Sequence, residues 1–270
     1  MTSPEQTETS IAAVCFSNVR QQQVKEFCRL NKLPLLNKKN EQYDLQLLFH
    51  DDLIELFDTQ LNTTISIDFL KGAMAHRQQF GGGRGQAIAK AIGLKSGITP
   101  TVLDTTAGLA GDAFVLASLG CPITLIERSV ILFSLLENAF ERANLSDDFQ
   151  QIAQQGFHII NRDANDYIAE QRASNKTPPD VIYIDPMYPE RKKSALVKKD
   201  MQILQRLHGE DDNAHPLSNS ALLNSALQFA KKRVVVKRPA HAETLNEIKP
   251  NTHIKSKKTR YDIYTIEKML

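Results

Sequence analysis

The stretch Val102-Leu103-Asp104-Thr105-Thr106-Ala107-Gly108-Leu109-Ala110-Gly111-Asp112 reads as a strand, a turn of small residues and the start of a helix continued by Phe114, Val115, Leu116 and Leu119. A strand feeding a glycine-containing turn and then a helix is the device by which doubly wound α/β folds bring backbone close to a nucleotide-like ligand. The next run, Pro122 to Glu127, reads as a second strand ending in an acid 23 residues after Asp104. A carboxylate there can accept from both hydroxyls of a ribose. Further strands are expected at 157–161, 180–185, 232–237 and 261–267, with helices between them and a first strand at 101–104. This alternation predicts an α/β domain with a central, mostly parallel sheet.

Ile182-Tyr183-Ile184-Asp185-Pro186-Met187-Tyr188-Pro189 delivers an acid, a proline and an aromatic to the carboxyl end of an apolar run. Asp185 can accept from an N–H, the carbonyl beside Pro186 is a second acceptor, and the Tyr188 ring offers a stacking face. The combination suits a flat base held by its exocyclic amine. A buried strand ending in an ordinary Asp-Pro turn fits the same residues.

The order of a modified glycine motif, an acid closing the second strand, an acid after the third (Asp163) and the Asp-Pro-Met-Tyr run resembles class I S-adenosylmethionine-dependent methyltransferases acting on exocyclic amines. Gly72 to Arg77, Phe80 to Gly85, Thr106 to Leu109, Lys193 to Lys199 and Arg233 to Pro239 are similar, more narrowly, to a family of 16S ribosomal RNA guanine-N2 methyltransferases, over roughly residues 65 to 266. The resemblance implies a Rossmann-like methyltransferase domain over 81–270, preceded by a small accessory α/β lobe over 1–80. It implies S-adenosylmethionine as cofactor, held by Gly108, Gly111, Asp112, Glu127, Arg128, Asp163, Ala164 and Asp185, with Asp185 and Tyr188 as the catalytic pair. Asp163 would meet the adenine amino group, although a helix cap is an equal reading of that residue. Two positions depart from the usual pattern: Met187 replaces a proline, and Gly111 stands where an arginine is familiar.

At 270 residues, 41% of them hydrophobic, the chain can bury one sizeable core and a small accessory lobe. Cys15, Cys28 and Cys121 have neither metal-ligand spacing nor an even count, which favours a reducing compartment. The absence of a leader-like or membrane-length apolar segment makes cytoplasmic the expectation, with no membrane partner and no metal. The net charge of +2 conceals an asymmetry. Residues 1–189 hold 16 Lys and Arg against 22 Asp and Glu, whereas residues 190–270 hold 17 against 9. Arg191, Lys192, Lys193, Lys198 and Lys199 follow the amine site directly, and Lys255, Lys257, Lys258 and Arg260 precede the last strand. Such clusters suit a polyanionic partner, here 16S ribosomal RNA or the small ribosomal subunit.

In the first 80 residues a strand is expected over Ile11 to Phe16, a helix over Val19 to Leu30, and a hairpin from the alternations Leu45, Leu47, Phe49 and Leu53, Glu55, Phe57. Ile65, Ile67 and Phe69 alternate again. The glycine loop at 81–85 lacks the Lys-Ser/Thr ending of a P-loop, and a hinge is as good a reading as an anion site; Arg84 is expected to touch RNA or the cofactor pocket. His76 is assigned no catalytic role. Competing functions are an adenine-N6 methyltransferase and, from another class, a nicotinamide-binding Rossmann protein. The latter requires a tight Gly-x-Gly-x-x-Gly turn, where this chain has Gly108-Leu109-Ala110-Gly111.

Overall fold

The computed structural model describes residues 9–72, 82–186, 199–214 and 216–269. They form two compact units, one from the residues up to Ile67 together with helix Lys199–Ala214, the other from Asp68–Pro186 and the residues from Pro216 on.

In the first unit, β1 (Ile11–Cys15), β2 (Leu35–Leu36), β3 (Leu45–Phe49), β4 (Ile54–Asp58) and β5 (Thr63–Ile65) form one sheet in the order β2-β1-β3-β4-β5. β1 runs parallel to β2 and β3, and β3, β4 and β5 form an antiparallel meander. The expected hairpin is β3 and β4. Helix Gln21–Leu30 buries Val24 and Cys28. Asp58, at the end of β4, is fully buried and pairs with Arg206 of helix Lys199–Ala214, which also reaches Asp44 at 3.2 Å. An unpaired carboxylate at such a site would cost about 3–5 kcal/mol, so this pair ties a helix from far along the chain to the sheet.

In the second unit, β6 (Val102–Asp104), β7 (Ile123–Glu127), β8 (Phe157–Asn161), β9 (Val181–Ile184), β10 (Arg233–Pro239), β11 (Thr252–Lys255) and β12 (Thr259–Thr265) form a seven-stranded sheet in the order β11-β12-β10-β9-β6-β7-β8. β6 to β10 are mutually parallel, and β12 is antiparallel to both its neighbours. The expected mostly parallel sheet is present. Every residue of β9 is buried, as a central parallel strand covered on both faces must be. Ile182 and Ile184 pack with Leu103, Ile126, Val234 and Val236 beneath helices Ala164–Ala173 and Pro216–Phe229. Successive side chains of a strand point to opposite faces, so Tyr183 turns the other way, and its hydroxyl reaches Asp112 of helix Gly111–Ser118. The buried rings of Phe69, Phe114, Phe149 and Phe157 stack and tilt against one another, each burial stabilising the fold by roughly 1.5–3 kcal/mol.

Three local expectations differ from the structure. The alternation of Ile65, Ile67 and Phe69 does not extend the strand beyond Ile65, because the Asp68 carboxylate accepts from the Leu70 and Lys71 amides and turns the chain. β11 lies outside the expected strands. Arg84 belongs to a 3-10 turn, Gly83–Gly85, and donates to the Lys95 carbonyl at 2.9 Å. Its charge also acts on Cys121, which precedes β7 at the amino-terminal edge of the sheet. Arg84 therefore lies at the opposite edge from Asp104 and Asp185, which removes the cofactor-pocket half of its expectation and leaves the RNA half standing. Gly81, His76 and Arg77 lie outside the described residues.

Candidate active site

The sheet is wound outward in both directions from β6 and β9, and such a reversal leaves a crevice beyond the carboxyl ends of these two strands. Asp104, Asp112, Glu127, Asp163, Asp185 and Lys237 all sit at that edge. Thr105 locks the two strand ends together, its amide and hydroxyl both donating to the Tyr183 carbonyl at 3.0 and 2.9 Å. The Thr106 hydroxyl accepts from the Asp185 amide at 2.7 Å, which fixes the backbone where β9 ends.

The turn after β6 folds back on itself through two left-handed positions, Gly108 at φ +54° and Ala110 at φ +58°. Such a φ suits glycine and costs an alanine roughly 1–2 kcal/mol. The strain brings the Gly108 amide to Glu127, whose Oε2 accepts from it at 3.0 Å while Oε1 accepts from the Ser129 amide at 2.8 Å. Glu127 is almost fully buried, and burial pushes its carboxyl up against the opposing pull of these two amides. Arg128 is exposed beside it and lowers the same carboxyl through its charge. Gly111 opens helix Gly111–Ser118, and among the described residues no atom beyond its chain neighbours and its own helix lies within 4 Å of where its Cβ would stand.

Asp163 caps helix Ala164–Ala173, its Oδ1 accepting from the Asn165 and Asp166 amides at 2.8 and 3.3 Å, and Ala164 is packed into the core behind it. The cap reading of Asp163 is thus realised. Replacing it with alanine is expected to cost about 1 kcal/mol of stability, measurable as a fall in the urea midpoint at unchanged slope.

A charged cluster joins the remaining residues. Lys237, at the carboxyl end of β10, donates to Asp185 Oδ2 at 2.6 Å and to Asp112 Oδ2 at 2.9 Å. The Tyr183 hydroxyl donates to the same Asp112 oxygen at 2.6 Å. Asp104 is buried close by, its Oδ1 accepting from the Thr106 amide at 3.0 Å. Burial, with Asp185 and Asp112 adding, pushes the Asp104 carboxyl up to about 7. Asp185 is raised to about 6, chiefly by burial, with Lys237 pulling against it and Asp112 adding to it. Its side chain is nevertheless 34% exposed, so it faces the crevice. Lys237 is held well above its ordinary range by the two carboxylates, which outweigh its own burial.

The residue set fits S-adenosylmethionine. Two carboxylates, Asp112 and Asp185, share the Lys237 ammonium with the buried Asp104 carboxyl beside them, and a ligand bearing a sulfonium and an ammonium would offset the acidic character of this cluster. Glu127 and the Gly108 turn lie together at the carboxyl edge of the sheet, where their oxygens and amides could meet a ribose. Of the residues expected from the sequence, Gly108, Asp112, Glu127 and Asp185 meet at this edge, whereas Tyr183 and Lys237 join them without having been assigned a role. The available signal was a lysine closing the apolar run Val234 to Val236, at the strand end that Glu127 and Asp185 occupy on theirs. Tyr188 and Met187 lie outside the described residues, as do Arg191, Lys192, Lys193 and Lys198. Lys199 donates to Thr63 at 2.9 Å. Among the described residues no group of His, Cys, Asp and Glu could hold a metal ion, and no helix is long and apolar enough to cross a membrane.

A parallel sheet with one antiparallel strand near its edge, a glycine turn after the first strand and an acid closing the second define a class I S-adenosylmethionine-dependent methyltransferase. Residues 29–266 match the family described as "Putative SAM-dependent methyltransferase". A SAM-dependent methyltransferase structure from Neisseria gonorrhoeae superposes with a TM-score of 0.72 at 31% identity, covering 94% of this chain and 96% of that one. The ribosomal RNA small subunit methyltransferase J of Shewanella amazonensis is 48% identical over 83% of this chain and 88% of its own, and that of Psychromonas ingrahamii 44% identical over 88% and 90%. The chain belongs to the ribosomal RNA small subunit methyltransferase J family. It is a methyltransferase and its methyl donor is S-adenosylmethionine. The nicotinamide reading falls with that assignment.

Proposed function

We propose that this protein transfers a methyl group from S-adenosylmethionine to the exocyclic N2 amine of a guanosine in 16S ribosomal RNA. The observation that carries the reading is Asp185: an acceptor at the switch point of the sheet, with its backbone amide bound to Thr106 and one carboxylate oxygen bound to Lys237. The relatives' names supply the small-subunit RNA, and the resemblance of the Asp-Pro-Met-Tyr run supplies the amine. The accessory role of residues 1–80, the chemistry over 81–270 and a cytoplasmic place of work belong to the same reading.

When bound, S-adenosylmethionine supplies a methyl group activated by its sulfonium leaving group. Glu127 accepts from the ribose hydroxyls, with Arg128 and the Gly108–Asp112 turn alongside. Asp163, whose Oδ1 is committed to the helix cap, offers Oδ2 to the adenine amino group, next to Ala164. Guanine N2 is a weak nucleophile because its lone pair is delocalised into the ring, so positioning does most of the catalysis. Asp185 and the carbonyl beside Pro186 hold the amine hydrogens and direct the lone pair, while Tyr188 stacks on the base. The amine proton becomes acidic only as nitrogen gains positive character, so no base is needed beforehand.

The RNA backbone is gripped by the tip between β11 and β12, where Lys255, Lys257 and Lys258 are exposed. Register places Lys237 opposite Tyr261, and Tyr261 opposite Ile254. At about 4.8 Å per strand β11 at Ile254 lies roughly 15 Å across the sheet from Asp185, and the tip projects beyond it at the same edge. Neutralising the three lysines is expected to weaken RNA binding and reduce its log–log salt slope by roughly 0.7 for each phosphate that no longer meets a lysine, with cofactor affinity unchanged. Filter binding across a salt series measures this; an unaltered slope places the RNA elsewhere.

The substrate is tested by incubating the protein with labelled S-adenosylmethionine and 16S RNA from cells lacking it, then digesting to nucleosides. Label in N2-methylguanosine is expected. Label in N6-methyladenosine would establish the adenine alternative instead.

A further inference from the structure

We propose that Lys237 is a positioning residue for methyl transfer: wedged between Asp112 and Asp185, it holds the Asp185 side chain as a carboxylate with one oxygen turned to the incoming amine. This rests on the reading of Asp185 as the amine's acceptor, and adds the means by which that acceptor is kept ready.

The backbone and one carboxylate oxygen of Asp185 are both held. Its amide is bound to the Thr106 hydroxyl and its Oδ2 to Lys237 Nζ, so Oδ1 is the oxygen left for an amine. Lys237 is itself steered by Asp112 Oδ2, an oxygen that also takes the Tyr183 hydroxyl. The groups facing this pair among the described residues are Asp104 from β6, Asp112 from helix Gly111–Ser118, Tyr183 from β9 and Tyr261, the register partner of Lys237 on β12. All are acidic, and Lys237 supplies the positive charge among them. Without it, burial and the neighbouring carboxylates would act on Asp185 unopposed, and a proton would occupy the position that the amine requires.

The electron count is simple. The N2 lone pair forms the new N–C bond, the C–S bond breaks with its electrons passing to sulfur, and the proton lost by N2 goes to Asp185 Oδ1. Lys237 keeps its proton throughout, because the two carboxylates favour its charged form. It is therefore not the base.

The test compares wild type, Lys237→Arg and Lys237→Met at saturating RNA and cofactor across pH 5 to 9. The acid limb of turnover belongs to the carboxylate cluster as a whole, and in wild type it is expected near the value of about 6 for Asp185. Removing the cation should move the limb of Lys237→Met up by at least about one unit, a loss of about tenfold near pH 5 and about twofold near neutrality that is recovered toward pH 9. Lys237→Arg should keep the wild-type limb. A second readout needs no catalysis: the carboxyl carbon of Asp185, followed by carbon-13 resonance in the free protein, should titrate higher in Lys237→Met. Unmoved limb and unmoved resonance midpoint would overturn the proposal. If Lys237→Met does not fold, Lys237→Gln, which keeps a hydrogen-bond donor without the charge, gives the same reading: its Asp185 midpoint should rise, and a midpoint that stays or falls would overturn the proposal. Full turnover in Asp185→Ala would instead defeat the underlying reading of Asp185, whatever the resonance shows.

Discussion

Asp185→Ala is expected to reduce methyl transfer by at least about 100-fold, the lower range for loss of a group that handles a proton in the transition state. The side chain stands at the end of β9 with its backbone clamped by Thr106, so the substitution removes the acceptor without moving the strand. The fold should survive, because Lys237 keeps Asp112 as a partner and one carboxylate of a crowded cluster is gone. Cofactor affinity should change much less than turnover. Single-turnover kinetics with matched melting curves separate these effects. Near-normal turnover in the folded variant would remove Asp185 from the chemistry. Tyr188→Ala should reduce turnover more modestly, by loss of base stacking worth about 1–3 kcal/mol.

Glu127→Ala should weaken S-adenosylmethionine binding by roughly 1.5–3 kcal/mol, about 10- to 150-fold in dissociation constant. The carboxylate does two things that alanine cannot. It offers charged acceptors where a ribose would lie, and it holds the Gly108 and Ser129 amides, so the strained turn through Gly108 and Ala110 depends on it. Titration calorimetry measures the loss, and an unchanged constant in folded protein would exclude Glu127 from the cofactor site.

The parallel sheet was legible because its central strands are buried on both faces and read as apolar runs that stop at a charged or small residue. β6 to β10 and β12 follow from that pattern to within two residues. β11 did not, since Thr252–Lys255 is an edge strand with three exposed residues and one apolar side chain. β2 has only two residues. Helix Lys199–Ala214 meets the N-terminal sheet through the ion pairs of Arg206 with Asp58 and Asp44 and the Lys199–Thr63 hydrogen bond, and nothing local in the sequence announces contacts such as that with Asp58, across 148 positions. The site divides similarly. Glu127 and Asp185 were readable because each closes its own strand, a property of local sequence. The Tyr183, Asp112 and Lys237 chain was not, because it arises only when β9, β10 and the helix after β6 meet.

The central claim, that this protein methylates a guanosine N2 in 16S ribosomal RNA through Asp185, is tested most directly by nucleoside-resolved mass mapping. The sample is 16S RNA from cells lacking the protein, complemented with either wild type or Asp185→Ala. The account predicts that one N2-methylguanosine disappears on deletion, returns with wild type and stays absent with Asp185→Ala at equal protein level. An unchanged set of N2-methylguanosines in the deletion, or full restoration by Asp185→Ala, would contradict it.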